Sequence, residues 1–415
     1  MDDLAATAAW PVERQVRAEV LARLLLNGPV PEPGCAAALD LRGARVAGRL
    51  DLTGARVPVP VKLMSCAFDE RLVVDYAEVT WWNLDGSQMP GFEGEGLQVG
   101  LWLGMRNAVV SDELWLHDAR LSGGLDLSGT VVEGASGFAV MGKQMIIDGD
   151  LRARGLQTRG ELRLSRSRIG GTLDLTGARL TATSSGAADL DAIHARRVEL
   201  DLHPSCAGRL SLAAATVEVL VADPDIWPAH CNLDLSSASF TTLQPTTNCP
   251  PGTRLNWLAQ HVIAPSPAIY SQIAAAYRQA GQEQAARHVL IHRERARYRA
   301  LGKAATVWGL LLNAVVGFGY RPSRALLWVA ALTASGTWYF TWAGPPRAVN
   351  PGGGPTWDPL LYVLDLLLPF LSLGQRSAWD PTHLAKAVAL ALTITGWILA
   401  TAVVGGVTRL LNRDT

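Results

Sequence analysis

The chain lacks the parts from which most enzyme sites and disulfide frameworks are built. Its 415 residues include only five cysteines, irregularly spaced and without a CxxC pair, which predicts free thiols in a reducing compartment. It contains no G-x-S-x-G, H-E-x-x-H or Walker A motif, the usual marks of nucleophilic, zinc-hydrolytic and nucleotide chemistry. We therefore predict no catalytic residue, no metal site and no cofactor; whether the chain is an enzyme stays open, although the residues favour a protein without catalysis.

An excess of charge of either sign is also missing. The 37 Lys and Arg residues are balanced by 37 Asp and Glu residues, so the formal net charge is zero. Binding to nucleic acid draws on an excess of basic side chains, and we expect no such partner. Residues 1–11 are acidic and alanine-rich, without a basic start and a long apolar run, so we expect no secretory signal.

An eleven-residue repeat fills the first half of the chain. An apolar–polar–apolar unit recurs, beginning with Leu39-Asp40-Leu41 and Leu50-Asp51-Leu52, and a glycine-containing turn follows many copies. The alternation is typical of a short, half-buried strand. Two units make about 22 residues, one coil of a parallel β-helix. The predicted fold class is an all-β, right-handed β-solenoid over residues 36–262, followed by a helical hairpin and an α-helical two-span transmembrane module.

Helical segments are predicted on both sides of the solenoid. Within residues 1–35, a helix from Val12 to Asn27 is expected to cap the open end of the sheet. Residues 263–303 are predicted to be a helical hairpin that acts as a linker. Its second helix carries a row of arginines that we expect either to lie beside anionic lipid or to make a regulatory contact. These residues are Arg293, Arg295, Arg297 and Arg299.

The last part of the chain, residues 304–415, is predicted to be a membrane module. The apolar runs 325–343 and 384–407 are long enough to cross a bilayer, whereas 304–318 is either an interfacial helix or a third span. Basic residues lie before the first span and after the second. The positive-inside rule therefore predicts an inner-membrane protein with the solenoid and both termini in the cytoplasm.

One carboxylate lies within the short apolar segment 359–373, between the two predicted spans. Such a group is costly near lipid, so Asp365 is expected to face protein or a water-filled path. The turn that follows, through Gly374, Gln375 and Arg376, could re-enter the membrane only if protein covers it. Two interpretations stay open: these four residues line a polar path, or Asp365 points to water or pairs with Arg376.

The C-terminal stretch resembles a bacterial family whose members join pentapeptide-like or bactofilin-like β-solenoids to a two-span membrane tail. Actinobacterial members are often labelled membrane-associated oxidoreductase, so the resemblance implies a redox activity. The solenoid departs from a five-residue repeat, because its period is eleven. The segments that carry the resemblance are Tyr320-Arg321-Pro322-Ser323-Arg324-Ala325-Leu326, Leu361-Tyr362-Val363-Leu364-Asp365-Leu366-Leu367-Leu368-Pro369, Leu373-Gly374-Gln375 with Trp379, and Gly396-Trp397.

Three hypotheses for the function follow from these patterns. The first is a membrane-anchored scaffold that contacts the lipid bilayer, copies of itself and an unknown protein partner. The second is a homo-oligomeric two-span pore-loop ion channel or membrane effector, with the solenoid as its sensor. The third is a membrane-associated oxidoreductase, which rests on the family label alone.

Overall fold

The structure is a computed structural model with two compact units, Met1–Ala286 and Arg287–Thr415. The first unit contains an all-parallel β-solenoid of about nine coils, with about 22 residues per coil, and helices follow it. The predicted β-solenoid is therefore confirmed. The structure describes residues 11–28, 37–134, 136–181, 186–245, 249–300, 323–349, 355–368 and 370–411.

The strands of the solenoid are short, most of them two to four residues long. In chain order they are β1 (Gln15–Arg17), β2 (Leu39–Arg42), β3 (Arg45–Ala47), β4 (Arg56–Val57), β5 (Val61–Met64), β6 (Ala67–Phe68), β7 (Leu72–Val73), β8 (Glu78–Val79), β9 (Trp82–Asn83), β10 (Gln88–Met89), β11 (Phe92–Glu93), β12 (Gln98–Val99), β13 (Trp102–Gly104), β14 (Val109–Val110), β15 (Leu114–Trp115), β16 (Arg120–Leu121), β17 (Gly124–Asp126), β18 (Val131–Val132), β19 (Phe138–Met141), β20 (Ile146–Ile147), β21 (Leu151–Arg152), β22 (Gln157–Arg159), β23 (Glu161–Arg163), β24 (Arg168–Asp174), β25 (Arg179–Thr181), β26 (Ala188–Asp189), β27 (His194–Glu199), β28 (Ala207–Ser211), β29 (Thr216–Val221), β30 (His230–Asp234) and β31 (Ser239–Gln244).

These strands stack in four parallel ladders, one on each side of the early coils. The ladders that begin with β2 and β4 converge on β24, and those that contain β3 and β7 converge on β28. At β24 in one sheet and at β28 in the other, one longer strand therefore runs through two neighbouring ladders. The step between paired residues is 22 from Leu39 to Val61 and 26 from Leu125 to Leu151, because the longer coil contains an added loop.

The turns between strands repeat with the same geometry whether or not glycine is present. At one corner Gly54 has a φ of 65°, and at the equivalent position one coil later Tyr76 has a φ of 57°. In both coils the next amide donates back across the turn, from Ala55 to Leu52 and from Ala77 to Val74. Glycine is thus sufficient but not required at this corner, since stacking on the neighbouring coil holds the turn.

The N-terminal end differs from the predicted continuous helix. Residues Val12–Arg14 form one 3₁₀ turn, β1 pairs in parallel with β3, and only Ala18–Asn27 forms helix α1. The open backbone edge of β3 explains the difference, because three residues gain ladder hydrogen bonds there that a helix would not supply. Helix α1 buries Leu21 and Leu25 and packs against β4.

Two helices close the other end of the solenoid. Helices α2 (Pro251–His261) and α3 (Pro267–Gln279) follow β31, and α3 packs directly on that strand. The side-chain amide of Gln272 donates to the carbonyl of Ala238 (3.0 Å) and accepts from the amide of Phe240 (2.9 Å). It therefore takes the place of a further strand at the edge of the sheet.

A buried arginine completes this closure. Arg254 is only 1% exposed, and its guanidinium donates to the carbonyls of Ala222 (2.7 Å) and Pro245 (2.9 Å). Its Cζ atom also lies 5.3 Å from the ring centroid of Trp257. The guanidinium thus donates to two backbone carbonyls at the end of the solenoid that do not take part in strand pairing.

Gln272→Ala is expected to loosen β31, because the Phe240 amide and the Ala238 carbonyl would both lose their partner. The expected cost is about 1–3 kcal/mol. Hydrogen–deuterium exchange of the β31 amides measures it. Gln279→Ala, on the exposed face of the same helix, is the matched control and should leave β31 protected. Equal exchange in the two variants would show that Gln272 does not hold this edge.

The second unit contains α5 (Ser323–Ala343), α6 (Pro359–Leu367), α7 (Gln375–Ala378) and α8 (His383–Leu411), and α4 (Glu283–Ala300) runs across the boundary between the units. Strands β32 (Arg347–Ala348) and β33 (Trp379–Asp380) pair antiparallel. Helices α5, α6 and α8 share one core. Its buried members are Phe340, Tyr362, Val363, Leu366, Leu367, Ala389 and Leu392.

One helical segment of the described residues, His383–Thr401 in α8, is long and apolar enough to cross a membrane. The predicted span 384–407 coincides with this helix. The other predicted span, 325–343, falls on α5, and its passage through a bilayer stays a prediction. The segment 304–318, predicted as an interfacial helix or a third span, lies outside the described residues.

Candidate functional site

A cleft of about 570 Å³ runs along one side of the solenoid, across β4, β8, β12 and β16. We call it the lateral cleft. Strand alternation places Val57, Val79 and Val99 inward as its floor, while the preceding residue of each strand points outward. Parallel pairing aligns these outward residues in successive coils. They are Arg56, Glu78, Gln98 and Arg120.

The charges of the lateral cleft are only partly paired. Arg56 Nε lies 2.9 Å from Glu78 Oε2, and both side chains are largely exposed, so the pair contributes little to stability. Arg120, at the other end, makes no ion pair with a described residue. Its planar guanidinium is suited to a carboxylate of a ligand or partner.

An apolar corner flanks the lateral cleft. Trp81 and Leu101 follow directly on the lining residues Thr80 and Gly100, Trp102 comes next after Leu101, and Leu101 is 60% exposed. Lys62 Nζ lies 5.3 Å from the ring centroid of Trp81, and Arg152 Cζ lies 5.3 Å from that of Trp102. Tryptophan and arginine are the residues most enriched in the energetic centres of protein interfaces.

The buried acidic side chains of the solenoid have partners within it. Arg106 Nη2 lies 2.7 Å from Asp85 Oδ2, its Nε lies 4.0 Å from Asp126 Oδ2, and Arg154 pairs with Asp174. The hydrogen bonds that Arg106 donates to Asp85 raise the pKa of Arg106, and the one that Arg154 donates to Asp174 raises the pKa of Arg154. This row alternates in sign along the coils and holds neighbouring coils together.

Two cysteines meet in the core of the last coils. Cys206 and Cys231 are buried hydrogen-bond partners on the paired segments around β28 and β30, and this contact together with burial raises the pKa of Cys231. His203 instead contacts Ser205 through Nδ1 (2.8 Å), and His230 is exposed. Among the described residues, no group of three His, Cys, Asp or Glu side chains could hold a metal ion.

The structure brings the four predicted residues of the C-terminal unit together around one carboxylate. Asp365 is buried, and it accepts hydrogen bonds from the backbone amides of Leu373 (Oδ1, 3.0 Å) and Arg376 (Oδ2, 2.7 Å). Gly374, between them, has a φ of 73°. Asp365 thus meets Arg376 through the main chain and not through its guanidinium. A polar path along these residues stays a prediction.

Gln375 fixes the other side of the same turn. Its Nε2 donates to the carbonyl of Thr356 (3.0 Å), and its Oε1 accepts from Trp379 Nε1 (3.1 Å). The side chain is buried, and Trp379 continues into β33. Both polar ends of Gln375 are therefore used to anchor the turn. The partner Thr356 lies in a loop where no sequence signal marks it.

The predicted arginine row on α4 is organised by an acidic residue that the arginine pattern does not mark. Glu294 is buried, with Arg293 Nη2 at 2.8 Å and Arg297 Nη1 at 3.7 Å from its carboxylate oxygens. Arg295 is exposed, and the side chain of Arg299 lies outside the described residues. Contact of this row with lipid or a regulator stays a prediction.

Comparison with protein-family models, with curated proteins and with solved structures finds no match to this chain. The family resemblance of the C-terminal residues and the bacterial origin therefore stay predictions.

Proposed function

We propose that this chain is a membrane-anchored scaffold whose solenoid binds a protein partner, with the solenoid in the cytoplasm. The observation that carries the proposal is the lateral cleft beside the apolar corner. Arg120 in the cleft is exposed and makes no ion pair with a described residue, and Leu101 in the apolar corner is 60% exposed. An aromatic edge next to an unpaired guanidinium is suited to a protein surface that carries an acidic side chain.

The exposed side chains of the second unit support the anchor. Trp338 and Trp342 on α5, and Leu384, Leu390 and Trp397 on α8, are among its large exposed apolar residues. Such a surface is unusual for a protein in water, whereas a bilayer would cover it. Tryptophans near helix ends are typical of membrane interfaces. Both helices are therefore proposed to face lipid.

Leu390→Arg is expected to weaken membrane retention, because an arginine near the middle of a span costs about 2.5–3.5 kcal/mol on insertion scales. The measurement is the fraction of full-length protein that stays in the membrane pellet after an alkaline carbonate wash. Leu101→Arg is the matched control, since Leu390 and Leu101 are 61% and 60% exposed. If both variants stay in the pellet like the wild type, α8 does not anchor the chain.

A photoreactive amino acid at Gln98, in the lateral cleft, is expected to give one discrete cross-linked product in the native host. Gln157 is the matched control, because it is an equally outward, exposed glutamine on a different ladder. Mass spectrometry of the product identifies the partner. Absence of a product at Gln98, or the same mixture at both positions, would contradict the scaffold proposal.

A two-span pore loop is the second candidate function, and one observation favours it. Helix α6 and the turn after it pack between α5 and α8 in a single core, which is the element order of a pore-loop module. Ion flux in liposomes that contain the full chain tests it, and Asp365→Ala should alter that flux. The oxidoreductase hypothesis gains no support from the described side chains.

A further inference from the structure

Close packing at Gly396 gives the depth of α6 along the proposed membrane span. A Cβ atom on Gly396 would lie 2.2 Å from the carbonyl oxygen of Leu367, the last residue of α6. Gly396 is 13 residues beyond His383, where the candidate span begins, which is roughly 20 Å along a helix. The hydrocarbon core is about 30 Å thick. The end of α6 therefore lies beyond the middle of the bilayer in the proposed placement.

The chain then returns toward the side from which α6 starts. The amides of Leu373 and Arg376 reach back to Asp365, in the second half of α6, and Gln375 reaches Thr356, before α6 begins. Trp379 pairs with Ala348, in the loop after α5. Helix α6 and the segment after it thus form a re-entrant hairpin between α5 and α8.

The deepest described part of this hairpin after α6, residues 370–374, is not helical, and we call it the tip. Residues 370–373 are exposed, and Phe370 is 77% exposed. No described residue donates a hydrogen bond to the carbonyls of Phe370, Leu371 or Ser372. Non-helical backbone is tolerated at membrane depth only where it is buried in protein or lines a water-filled cavity.

We infer that the tip is a contact between copies of this chain. This inference rests on the proposed membrane placement. A second copy suits the patch because the patch is self-complementary: the tip offers open carbonyls and the Ser372 hydroxyl as acceptors, and Arg376, two residues beyond the tip, makes no ion pair with a described residue. A two-fold contact places the donors of one copy against the acceptors of the other.

Oxidative cross-linking of single-cysteine additions to the full chain in lipid nanodiscs tests the inference. Ser372→Cys introduces a thiol at the tip. Ser335→Cys is the matched control, because Ser335 is exposed on α5 beside Gly336, at the depth of Val363. The four described native cysteines are buried, so the oxidised wild-type chain serves as the blank. Copper–phenanthroline removes two electrons and two protons from the thiol pair and passes the electrons to oxygen.

On a denaturing gel we expect Ser372→Cys to shift most of the chain to twice the monomer mass, reversibly with dithiothreitol, and Ser335→Cys to stay at the monomer mass. Native mass spectrometry of the unmodified chain should then give a dimer or a larger ring, and four or more copies would favour a central path. A monomer, or equal cross-linking of the two variants, would overturn the inference. If the monomer also resists the carbonate wash, the membrane anchor stands alone; if the wash releases it, both proposals fail.

Discussion

Gly123→Ala is expected to disrupt the middle of the solenoid and to cost more than about 4 kcal/mol. A Cβ atom on Gly123 would lie 1.6 Å from the carbonyl oxygen of Leu101, on the neighbouring coil. The obstacle is backbone, which cannot rotate away as a side chain would. The next coils repeat this close approach, since a Cβ on Gly149 would lie 2.2 Å from the carbonyl oxygen of Gly123. From Leu101 to Gly149, the coils at this corner approach so closely because Gly123 and Gly149 have no side chain.

Gly252→Ala is the matched control for this variant. Gly252 lies in helix α2, and a Cβ atom there would meet nothing within 4 Å. The substitution should therefore be neutral, or stabilise α2 by up to about 1 kcal/mol. Thermal unfolding of the full chain, followed by far-ultraviolet circular dichroism, compares the two. If Gly123→Ala unfolds at the same temperature as the wild type, the coils can move apart at this corner without loss of stability.

Asp365→Ala is expected to free the turn around the tip and to cost about 3–5 kcal/mol, because the amides of Leu373 and Arg376 lose their hydrogen bonds to a buried carboxylate. Hydrogen–deuterium exchange at Leu373 and Arg376 reports the loss directly. Asp365→Asn should be intermediate, since it keeps one carbonyl acceptor but points an amide donor at the other N–H. Ion flux is a separate measurement, and the exchange result holds whether or not the protein conducts.

Asp358→Ala provides the comparison within the same helix. Asp358 caps the N-terminus of α6 and accepts hydrogen bonds from the amides of Leu360 and Leu361. It sits at an exposed helix end, so its loss should cost about 1 kcal/mol, as for other N-caps. If the amides of Leu373 and Arg376 are protected from exchange to the same extent in Asp365→Ala and Asp358→Ala, the Asp365 carboxylate does not hold the turn.

The solenoid could be predicted because the same eleven-residue pattern recurs many times in the sequence. Each eleven-residue unit alternates apolar and polar residues, and the inward residues, such as Leu39 and Val61, stack as the period requires. The repeat pattern does not indicate how the two ends of the solenoid are closed. The strand β1 forms because β3 offers an open edge, and that edge exists only after the coils have stacked. The sequence of Val12–Arg17 alone favours continuing the helix.

The candidate sites were less predictable, for a related reason. Asp365 could be selected because a carboxylate is rare in an apolar segment, but its partners are main-chain amides eight and eleven residues later, which leave no mark in the side-chain pattern. The outward residues of the lateral cleft occupy ordinary exposed positions of their strands. Only the stacking of the coils in the structure shows that they align. Gln272 and Arg254 carry no signal either, since Gln272 satisfies backbone groups at Ala238 and Phe240, and Arg254 satisfies the carbonyl of Ala222, 32 residues earlier in the chain.

The two ends of the solenoid are closed by different devices: β1 and α1 at one end, and Gln272, Arg254 and α3 at the other. Nothing in the repeat itself limits the number of coils, because every coil presents to the next the same backbone groups it receives. The solenoid is therefore a stack of coils whose length is fixed by the segments that cover its two ends. Loss of one closure would expose an edge on which coils of another molecule can continue the stack, so damage at the ends leads to polymerisation before it leads to unfolding.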